Sequence, residues 1–507
     1  MSAKKGFLTL VSVSFLAYPL SFLNQLLLSY YFGAGKEMDA YWIALMGINS
    51  LTLLSVPVRD SLIPFYVGKR LQGEEDAGHY FSARLNFLVL LSLGITLLAF
   101  GFRSQIAQWL IDPSQEGIKD QVAVLLVWLT PLIVLMPLTE VQSSLLVSFK
   151  KYIFQYLGRI LGTLGSIAFL FLFASRLGVI ALSLGAVVSW AILGGLQIKE
   201  LKNLGFVHHW SARPKAEAPL LRMIGSILLT SLLAQVYLLY ANRSFTGFGT
   251  GLVSSYQYGM SLALIPHNIL VLALTTVLWP KVLEEQALGN FERIFDLTWE
   301  MSRKLTLVLA LLGTLGFLFS EPLIRLLYAR GAFDETAVQT TAFCFRALLF
   351  AIIPIALVNL FNRVLSSLKQ TRALLWTGVF AALSGMFCLW LAVVQNQIGW
   401  VVMHHTVSNL ANGLLCFYFL SQATQTRLGA AKFLAAGFWV LRLLLVAGVL
   451  VWLFPLVPVP TQGIWSPLGS LAWQSGLGAG LFLGLCFLLR LLTLEELRGI
   501  FKSLKKG

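Results

Sequence analysis

Long apolar runs dominate this sequence and limit what it can fold into. Runs of about 20 residues, each long enough to cross a bilayer core of roughly 30 Å, recur from Phe7 to Leu492 with short polar breaks. Of the 507 residues, 57% are hydrophobic and only 12% are charged, whereas a soluble domain carries about 25% charged residues. We therefore predict an all-α integral membrane protein with about fourteen transmembrane helices, and an ordinary soluble fold is excluded. The helices are predicted to start near residues 7, 39, 82, 121, 152, 177, 219, 251, 304, 337, 373, 398, 433 and 468.

Basic residues give the predicted orientation of these helices. The net charge is +15, and most Lys and Arg residues fall at the inner ends of the helices if the N-terminus lies in the cytoplasm. The basic start at Lys4 and Lys5 leads into a long apolar segment without a clear cleavage site, so the first helix is expected to stay. An even number of helices also places the basic tail, 497–507, in the cytoplasm. That tail suits anionic lipid, and nucleic acid is not an expected partner.

Three landmarks recur along the chain at one constant offset. They are a Phe-Gly-x-Gly motif at 32–35 and 248–251, a proline at 64 and 280, and a glycine at 73 and 289. A shift by six helices preserves orientation, so we predict two six-helix lobes related by a parallel pseudo-two-fold repeat, which is a transporter architecture. The predicted divisions are 1–215 (helices 1–6), 216–430 (helices 7–12) and 431–507 (two further helices and the cytoplasmic tail).

Ionisable residues inside the predicted helices are the first candidates for a binding site, because a charge at the bilayer centre costs a few kcal/mol unless it faces a cavity or partner. Arg59, Arg159 and Arg363 are predicted in the inner half of the bundle, against Asp60 and Glu140. This set is net positive, and guanidinium groups bind phosphates bidentately, so the pattern favours a phosphate-bearing anionic substrate. The alternative is structural, with Arg59 paired to Glu140 and Arg363 extended to the interface.

Neutral polar residues inside the helices are further candidates. Asn24, Gln25 and Gln257 could hydrogen-bond a sugar or peptide, or bond across helices. No P-loop, GxSxG or HExxH motif is present, and the four cysteines lie in apolar segments without metal-ligand spacing. We expect a transporter without covalent chemistry or cofactor, and leave open whether Na⁺, H⁺ or the membrane potential drives it.

Two motifs carry a family resemblance. Phe32-Gly33-Ala34-Gly35 followed by Asp39-Ala40-Tyr41, and Tyr328-Ala329-Arg330-Gly331-Ala332-Phe333, resemble motifs of the MurJ (MviN) family. The stretch around Arg363 and the helix that contains Arg442 are similar as well. The family-motif residues are Gly33, Gly35, Asp39, Arg330 and Gly331.

The resemblance implies a member of the multidrug/oligosaccharidyl-lipid/polysaccharide exporter superfamily, related to the lipid II flippases of the bacterial cytoplasmic (inner) membrane. It implies a central cavity for a diphosphate-saccharide head group and a groove by helices 13 and 14, where Arg442 lies, for the polyprenyl tail. The expected partners are a polyprenyl-diphosphate-linked glycan, membrane lipids and cell-envelope synthesis proteins. The predicted substrate-binding residues are Arg59, Arg159, Arg363, Asn24, Gln25, Gln257 and Glu140.

The chain departs from the family where the family has arginines. Tyr18 and Asn24 stand where the family has arginines in helix one, and Gln25 stands where it has an acidic residue. The family's double arginine in helix two corresponds to positions near Ser50 and Leu51 of this chain. Our leading hypothesis is a flippase for a lipid II-like precursor, moving it from the inner to the outer leaflet by alternating access. The alternatives are a flippase for an exopolysaccharide or O-antigen repeat unit, and a transport-dead scaffold for envelope synthesis.

Overall fold

The computed structural model describes residues 19–54, 66, 73–149, 151, 153–210, 218–426, 430–454, 467–489 and 491. Within these ranges every regular element is helical. The first half of the chain contains α1 (19–32), α2 (Lys36–Leu51), α3 (Glu74–Gly101), α4 (Arg103–Leu110), α5 (Glu116–Leu129), α6 (Leu132–Ser148), α7 (Ile153–Leu177), α8 (Ile180–Asn203) and α9 (Ala218–Thr246), with short 3-10 turns at Thr52–Leu54 and Pro113–Gln115.

The second half continues in the same way. It contains α10 (Leu252–Ala287), α11 (Phe291–Leu318), α12 (Ser320–Tyr328), α13 (Glu335–Leu349), α14 (Ile352–Ser367), α15 (Thr371–Gln395), α16 (Ile398–Ala423), α17 (Ala430–Leu453) and α18 (Pro467–Leu488). The all-α membrane fold is thereby confirmed. Apart from the first predicted start, near residue 7 and outside the described residues, every predicted transmembrane helix corresponds to one of these helices or to a bent pair of them.

Two predicted starts are wrong by a wide margin, and the reason is the same for both. The third span was expected to start near residue 82 and the ninth near 304, but α3 begins at Glu74 and α11 at Phe291. Their early turns contain polar residues such as Asp76, His79 and Arg293. Hydropathy detects only the part of a helix that lies in lipid, so it misses turns that continue into water.

The order of elements recurs in the two halves. The short helices α4 and α12 follow α3 and α11, and each is followed by a broken helix: Gly117–Leu129 with Leu132–Ser148, bent by 44°, and Glu335–Leu349 with Ile352–Ser367, bent by 43°. Pro131 and Pro354 lie at the starts of the second segments, where a missing backbone N–H interrupts a helix at little cost. This recurrence supports the internal repeat.

Length and hydropathy identify the membrane-spanning helices directly. Five helices in the described part of the chain are long and apolar enough to cross a membrane, and seven if each bent pair is one span. Two shorter apolar helices, Phe438–Leu453 and Trp473–Leu488, lie near the C-terminus. The chain is therefore a multi-pass membrane protein.

The chain divides into two compact units. The first comprises Met1–Tyr258, Leu327–Thr340 and Leu389–Val401, and the second comprises Gly259–Leu326, Thr341–Cys388 and Val402–Gly507. The three-part division at residues 215 and 430 stays a prediction. In the first unit a buried apolar cluster joins α3, α6 and α8, around Phe81, Val141 and Leu201.

The second unit has two apolar clusters. One joins α10, α11, α14 and α16, around Val282, Phe295 and Phe361. The other packs the C-terminal helices α17 and α18 against α11, around Val446 and Phe482. All four cysteines are buried.

Candidate functional site

Three segments that are distant in sequence meet in the first unit. We call this contact, formed by 28–39, 248–258 and 328–333, the motif junction. The N–H of Ala332 donates to the carbonyl of Tyr30 at 2.9 Å, and Gly331, at φ +63°, lies so close that a Cβ would stand 2.2 Å from that oxygen. Gly33, at φ +62°, lies equally close to the carbonyl of Ala332. Glycine is required at both positions because of the left-handed backbone and the close approach.

Asp39 is the charged group of the motif junction. Its carboxylate is 1% exposed and accepts three hydrogen bonds from the start of α10: from the Gly251 N–H, the Ser254 N–H at 2.7 Å and the Ser254 hydroxyl at 2.7 Å. The first turn of a helix has unsatisfied N–H groups and a positive dipole end, so a carboxylate from another helix is stabilised there without a cation. Asp39 thus connects the first turn of α2 to α10.

Aromatic rings surround the same contact. The Tyr258 hydroxyl donates to the carbonyl of Gly33 at 3.0 Å, and its ring lies 5.3 Å from the ring of Tyr328 and 5.5 Å from that of Phe333. Tyr258 is fully buried. Rings at such spacings add packing energy beyond the apolar area they bury.

Of the five family-motif residues, Gly33, Asp39 and Gly331 make the contacts of the junction. Gly35 is the N-terminal cap of α2, and a Cβ added to it would meet nothing within 4 Å. Arg330 is exposed in the loop before α13, and its backbone N–H donates to the carbonyl of Tyr328. Sequence reasoning missed Ser254 and Tyr258, although the repeat of the Phe-Gly-x-Gly motif at 248–251 marks the segment that contains them.

In the second unit, one face of α14 is polar and partly open. Arg363 is exposed, and its guanidinium lies 5.0 Å from the centre of the Trp279 ring on α10. Among the described residues it contacts no carboxylate. One turn earlier, the Asn359 amide contacts Nε2 of His267 at 3.1 Å. A guanidinium held on an aromatic face keeps its donors available for a phosphate.

The other predicted substrate-binding residues lie on several different helices. Arg159 is exposed on α7, Glu140 is half-buried in α6, and Gln257 is half-buried near the start of α10. Asn24 and Gln25 are adjacent on α1, and the Asn24 Oδ1 and Gln25 Nε2 atoms are enclosed without a hydrogen-bond partner among the residues that the structure describes. Buried polar atoms of this kind are uncommon, because they lose their hydration without compensation.

Arg442 is exposed on α17, in the middle third of the helix. Leu443, Val446 and Leu450 on the other side of this helix are buried against α11 and α18. Arg59 and Asp60 lie outside the described residues, so their predicted roles stay predictions. In the part of the chain that the structure describes, no three His, Cys, Asp or Glu side chains converge as metal ligands would.

Comparison with known proteins places these features in one family. The sequence profile described as "Lipid II flippase MurJ" matches residues 28–467. Among curated proteins, a probable lipid II flippase MurJ from Chlamydia muridarum is 25% identical, with coverage of 81% of this chain and 75% of the relative. A second, from Borreliella burgdorferi, is 21% identical, with coverage of 72% of each chain.

Solved structures agree at the level of the fold. The inward closed conformation of the lipid II flippase MurJ has a TM-score of 0.79 at 17% identity and covers 96% of this chain and 99% of its own. An inward-facing multidrug resistance MATE family transporter of the MOP superfamily has a TM-score of 0.63 at 14% identity, with 81% and 96% covered. From the match over residues 28–467, the chain belongs to the MurJ lipid II flippase family.

Proposed function

We propose that the protein is a flippase that moves a lipid II-like, polyprenyl-diphosphate-linked saccharide from the inner to the outer leaflet of the cytoplasmic membrane. Family membership supports the cargo class, since the relatives above are named as lipid II flippases. Transport proceeds by alternating access, without covalent chemistry. Both termini then lie in the cytoplasm, as the distribution of basic residues favours.

The observation that carries the mechanism is the motif junction. Alternating access needs a contact that closes one side of the cavity and can be released again. Under the predicted topology the junction lies at the outer ends of the helices. It joins the two sequence repeats through the Asp39 hydrogen bonds to the start of α10, and hydrogen bonds to a charged group are worth about 1.5–3 kcal/mol each. Water molecules can replace these hydrogen bonds when the junction separates, so the open and closed states of the junction are close in free energy.

The polar face of α14 is the proposed contact for the diphosphate. No carboxylate among the described residues occupies the donors of Arg363, which can therefore bind phosphate oxygens, and Trp279 orients the guanidinium. Asn24, Gln25 and Gln257 contribute neutral hydrogen bonds to the saccharide or peptide. The Arg363 guanidinium replaces part of the positive charge that the family resemblance implies in helices one and two. Arg442 interacts with the lipid-linked end of the substrate.

The role of the motif junction as the gate on the outer side is tested by weakening the contact that Asp39 makes with the start of α10. In Asp39→Asn the side chain loses its charge, and its amide nitrogen cannot accept a hydrogen bond, so the junction should open more often. A cysteine introduced at Ala34 should then react faster with an impermeant maleimide added outside than it does with Asp39 present. Glu37→Gln is the matched control, because Glu37 is an exposed acid in the same helix turn. Equal labelling rates with Asp39 present, in Asp39→Asn and in Glu37→Gln would show that the Asp39 hydrogen bonds do not hold the junction closed.

The cargo is tested by head-group flipping in liposomes that contain the purified protein. Lipid II and an undecaprenyl-diphosphate oligosaccharide are compared for the wild type, Arg363→Ala and the control Arg293→Ala, which removes an exposed arginine of α11. We expect lipid II flipping that falls about ten-fold or more in Arg363→Ala, as expected for the loss of a charge-assisted contact. Flipping of only the oligosaccharide would favour the exopolysaccharide alternative, and flipping of neither by a folded protein would favour the scaffold.

A further inference from the structure

The first unit contains a cavity of about 500 Å³ that no step of the proposed transport uses. Its wall combines the end of α2 and the following turn, the last turns of α3, the start of α4 and one residue of α9, Leu232. The volume lies within the range of roughly 300–1,000 Å³ that small-molecule sites occupy.

The wall offers an occupant only apolar contacts. Among the described residues that line it, Ser50 is the one polar residue, and its hydroxyl already donates one hydrogen bond and accepts another. It donates to the carbonyl of Met46 at 2.8 Å and accepts from the Gln235 amide. A saccharide or peptide would lose its hydration here without compensation, whereas an apolar cavity readily takes an apolar ligand.

The cavity is open on one side, at the surface of membrane-spanning helices. Leu98, Phe102 and Leu232 line it and are 61%, 54% and 45% exposed. α3, which contributes Leu98, is long and apolar enough to cross a bilayer. In a membrane, the groups that reach such an opening are lipid acyl chains.

One arginine lies at each end of α4, the helix that contributes Ile106 to the wall of the cavity. Arg103 directly follows Phe102, donates from Nη1 to the carbonyl of Phe100 at 3.0 Å and lies over the Phe100 ring. Arg243, in the last turn of α9, donates from Nη1 to the carbonyl of Trp109 at 3.3 Å. Under the predicted topology, with the N-terminus in the cytoplasm, both arginines fall at the outer ends of their helices. Trp109 itself is 79% exposed, as is typical of aromatic residues at a membrane interface.

Neither arginine is neutralised by an acid in the described structure. The acidic residue after α4, Asp112, accepts instead from the Ser114 N–H and hydroxyl, at 3.0 and 2.8 Å. A guanidinium has five N–H donors, and each of these two uses one in its contact with a backbone carbonyl. The remaining donors match the geometry of a phosphate.

We propose that this cavity is a binding site for an outer-leaflet phospholipid with an anionic head group, such as phosphatidylglycerol. One acyl chain occupies the apolar cavity and the phosphate lies between Arg103 and Arg243. The occupant is a resident lipid and not the cargo, because a cavity of this volume accommodates one acyl chain rather than a polyprenyl chain. The site is independent of the diphosphate contact proposed at Arg363.

The test uses the full-length protein in phosphatidylcholine vesicles with a small fraction of phosphatidylglycerol that carries a diazirine on its acyl chain. After photolysis and digestion, we expect cross-links on residues 95–106 and around Leu232. Unlabelled phosphatidylglycerol should displace the probe at concentrations at which phosphatidylcholine does not. Leu98→Trp, which fills the cavity, and the double variant Arg103→Gln/Arg243→Gln should each lower this labelling roughly ten-fold.

The control is Arg176→Gln, which removes an exposed arginine from the last turn of α7 and should leave labelling unchanged. If Leu98→Trp fails to fold, Ile106→Trp fills the cavity from α4 instead. Labelling spread evenly over all lipid-facing helices, or unaltered in the filled variant, would overturn the site. Displacement by phosphatidylcholine as effective as by phosphatidylglycerol would overturn the anionic head group. Because the readout is labelling, failure of the proposed transport would leave this result interpretable.

Discussion

Single glycines determine how closely the segments of the motif junction approach. Gly331→Ala should destabilise the protein strongly, since its Cβ would stand 2.2 Å from the backbone oxygen of Tyr30 at a φ of +63°. Gly178→Ala is the matched control, with φ +54° and nothing within 4 Å of the added carbon. The control should cost only the conformational penalty of about 1–2 kcal/mol. Thermal unfolding of the two purified variants measures the difference, and equal losses would mean that the close contact contributes nothing.

For each contact of the motif junction, the sequence predicted one of the two partners. Gly33, Asp39 and Gly331 belong to motifs that could be recognised, because their backbone and charge requirements restrict which residues can stand there. Their partners could not be recognised. The backbone carbonyls of Tyr30 and Ala332 face Gly331 and Gly33 whatever side chains those two residues have. Ser254 is one serine among many until the fold brings it to Asp39.

Among the elements, the loop after α8 shows how a connection is fixed to a membrane helix. Asn86 of α3 donates to the carbonyls of His209 and Trp210, both at 3.1 Å, and its Oδ1 contacts Nε2 of His208 at 2.9 Å. The ring of His209 stacks on that of His79 at 3.8 Å. Burial, and secondarily the charge of His209, lowers the pKa of His208 below its usual 6.5.

This lowered pKa predicts that acid releases the loop. The attached loop favours the neutral imidazole, so as the pH falls through 6.5 the released loop binds a proton before the attached one does, and attachment weakens. Above that pH the contribution is fully present. Hydrogen exchange of 204–210, followed on both sides of that value, measures the effect. His208→Gln, which cannot take up a proton in this range, should remove the pH dependence; a wild type as insensitive as this variant would contradict the explanation.

The start of a helix could be predicted where its first turn is apolar and lies in lipid. The apolar windows located α10 at residue 252 and α16 at 398 within a residue of the structure. They could not locate the starts of α3 and α11, whose first turns are polar. The short helices α4 and α12 were also missed, because an eight- or nine-residue helix beside a membrane span leaves no separate hydropathy signal.

For the whole molecule, the sequence repeat and the compact units describe different properties. The sequence repeat relates segments that have the same order of helices. It is visible in the recurrence of a short helix followed by a bent pair. The units group residues that pack together, so Leu327–Thr340, from the second repeat, belongs to the first unit through its contacts with α1. Periodicity cannot reveal this exchange, because it depends on contacts between residues that are distant in sequence.

The orientation of the whole molecule can be tested with single cysteines, because the four native ones are buried. Gln105→Cys on α4 and Thr336→Cys on α13 are exposed positions at predicted outer ends, so an impermeant maleimide should label them in intact spheroplasts. Asn203→Cys on α8 and Ala287→Cys on α10 are exposed at predicted inner ends and should react only after permeabilisation. One position from each half is thus tested on each side. The reverse pattern would invert the topology, and it would move the motif junction and its gate to the cytoplasmic side.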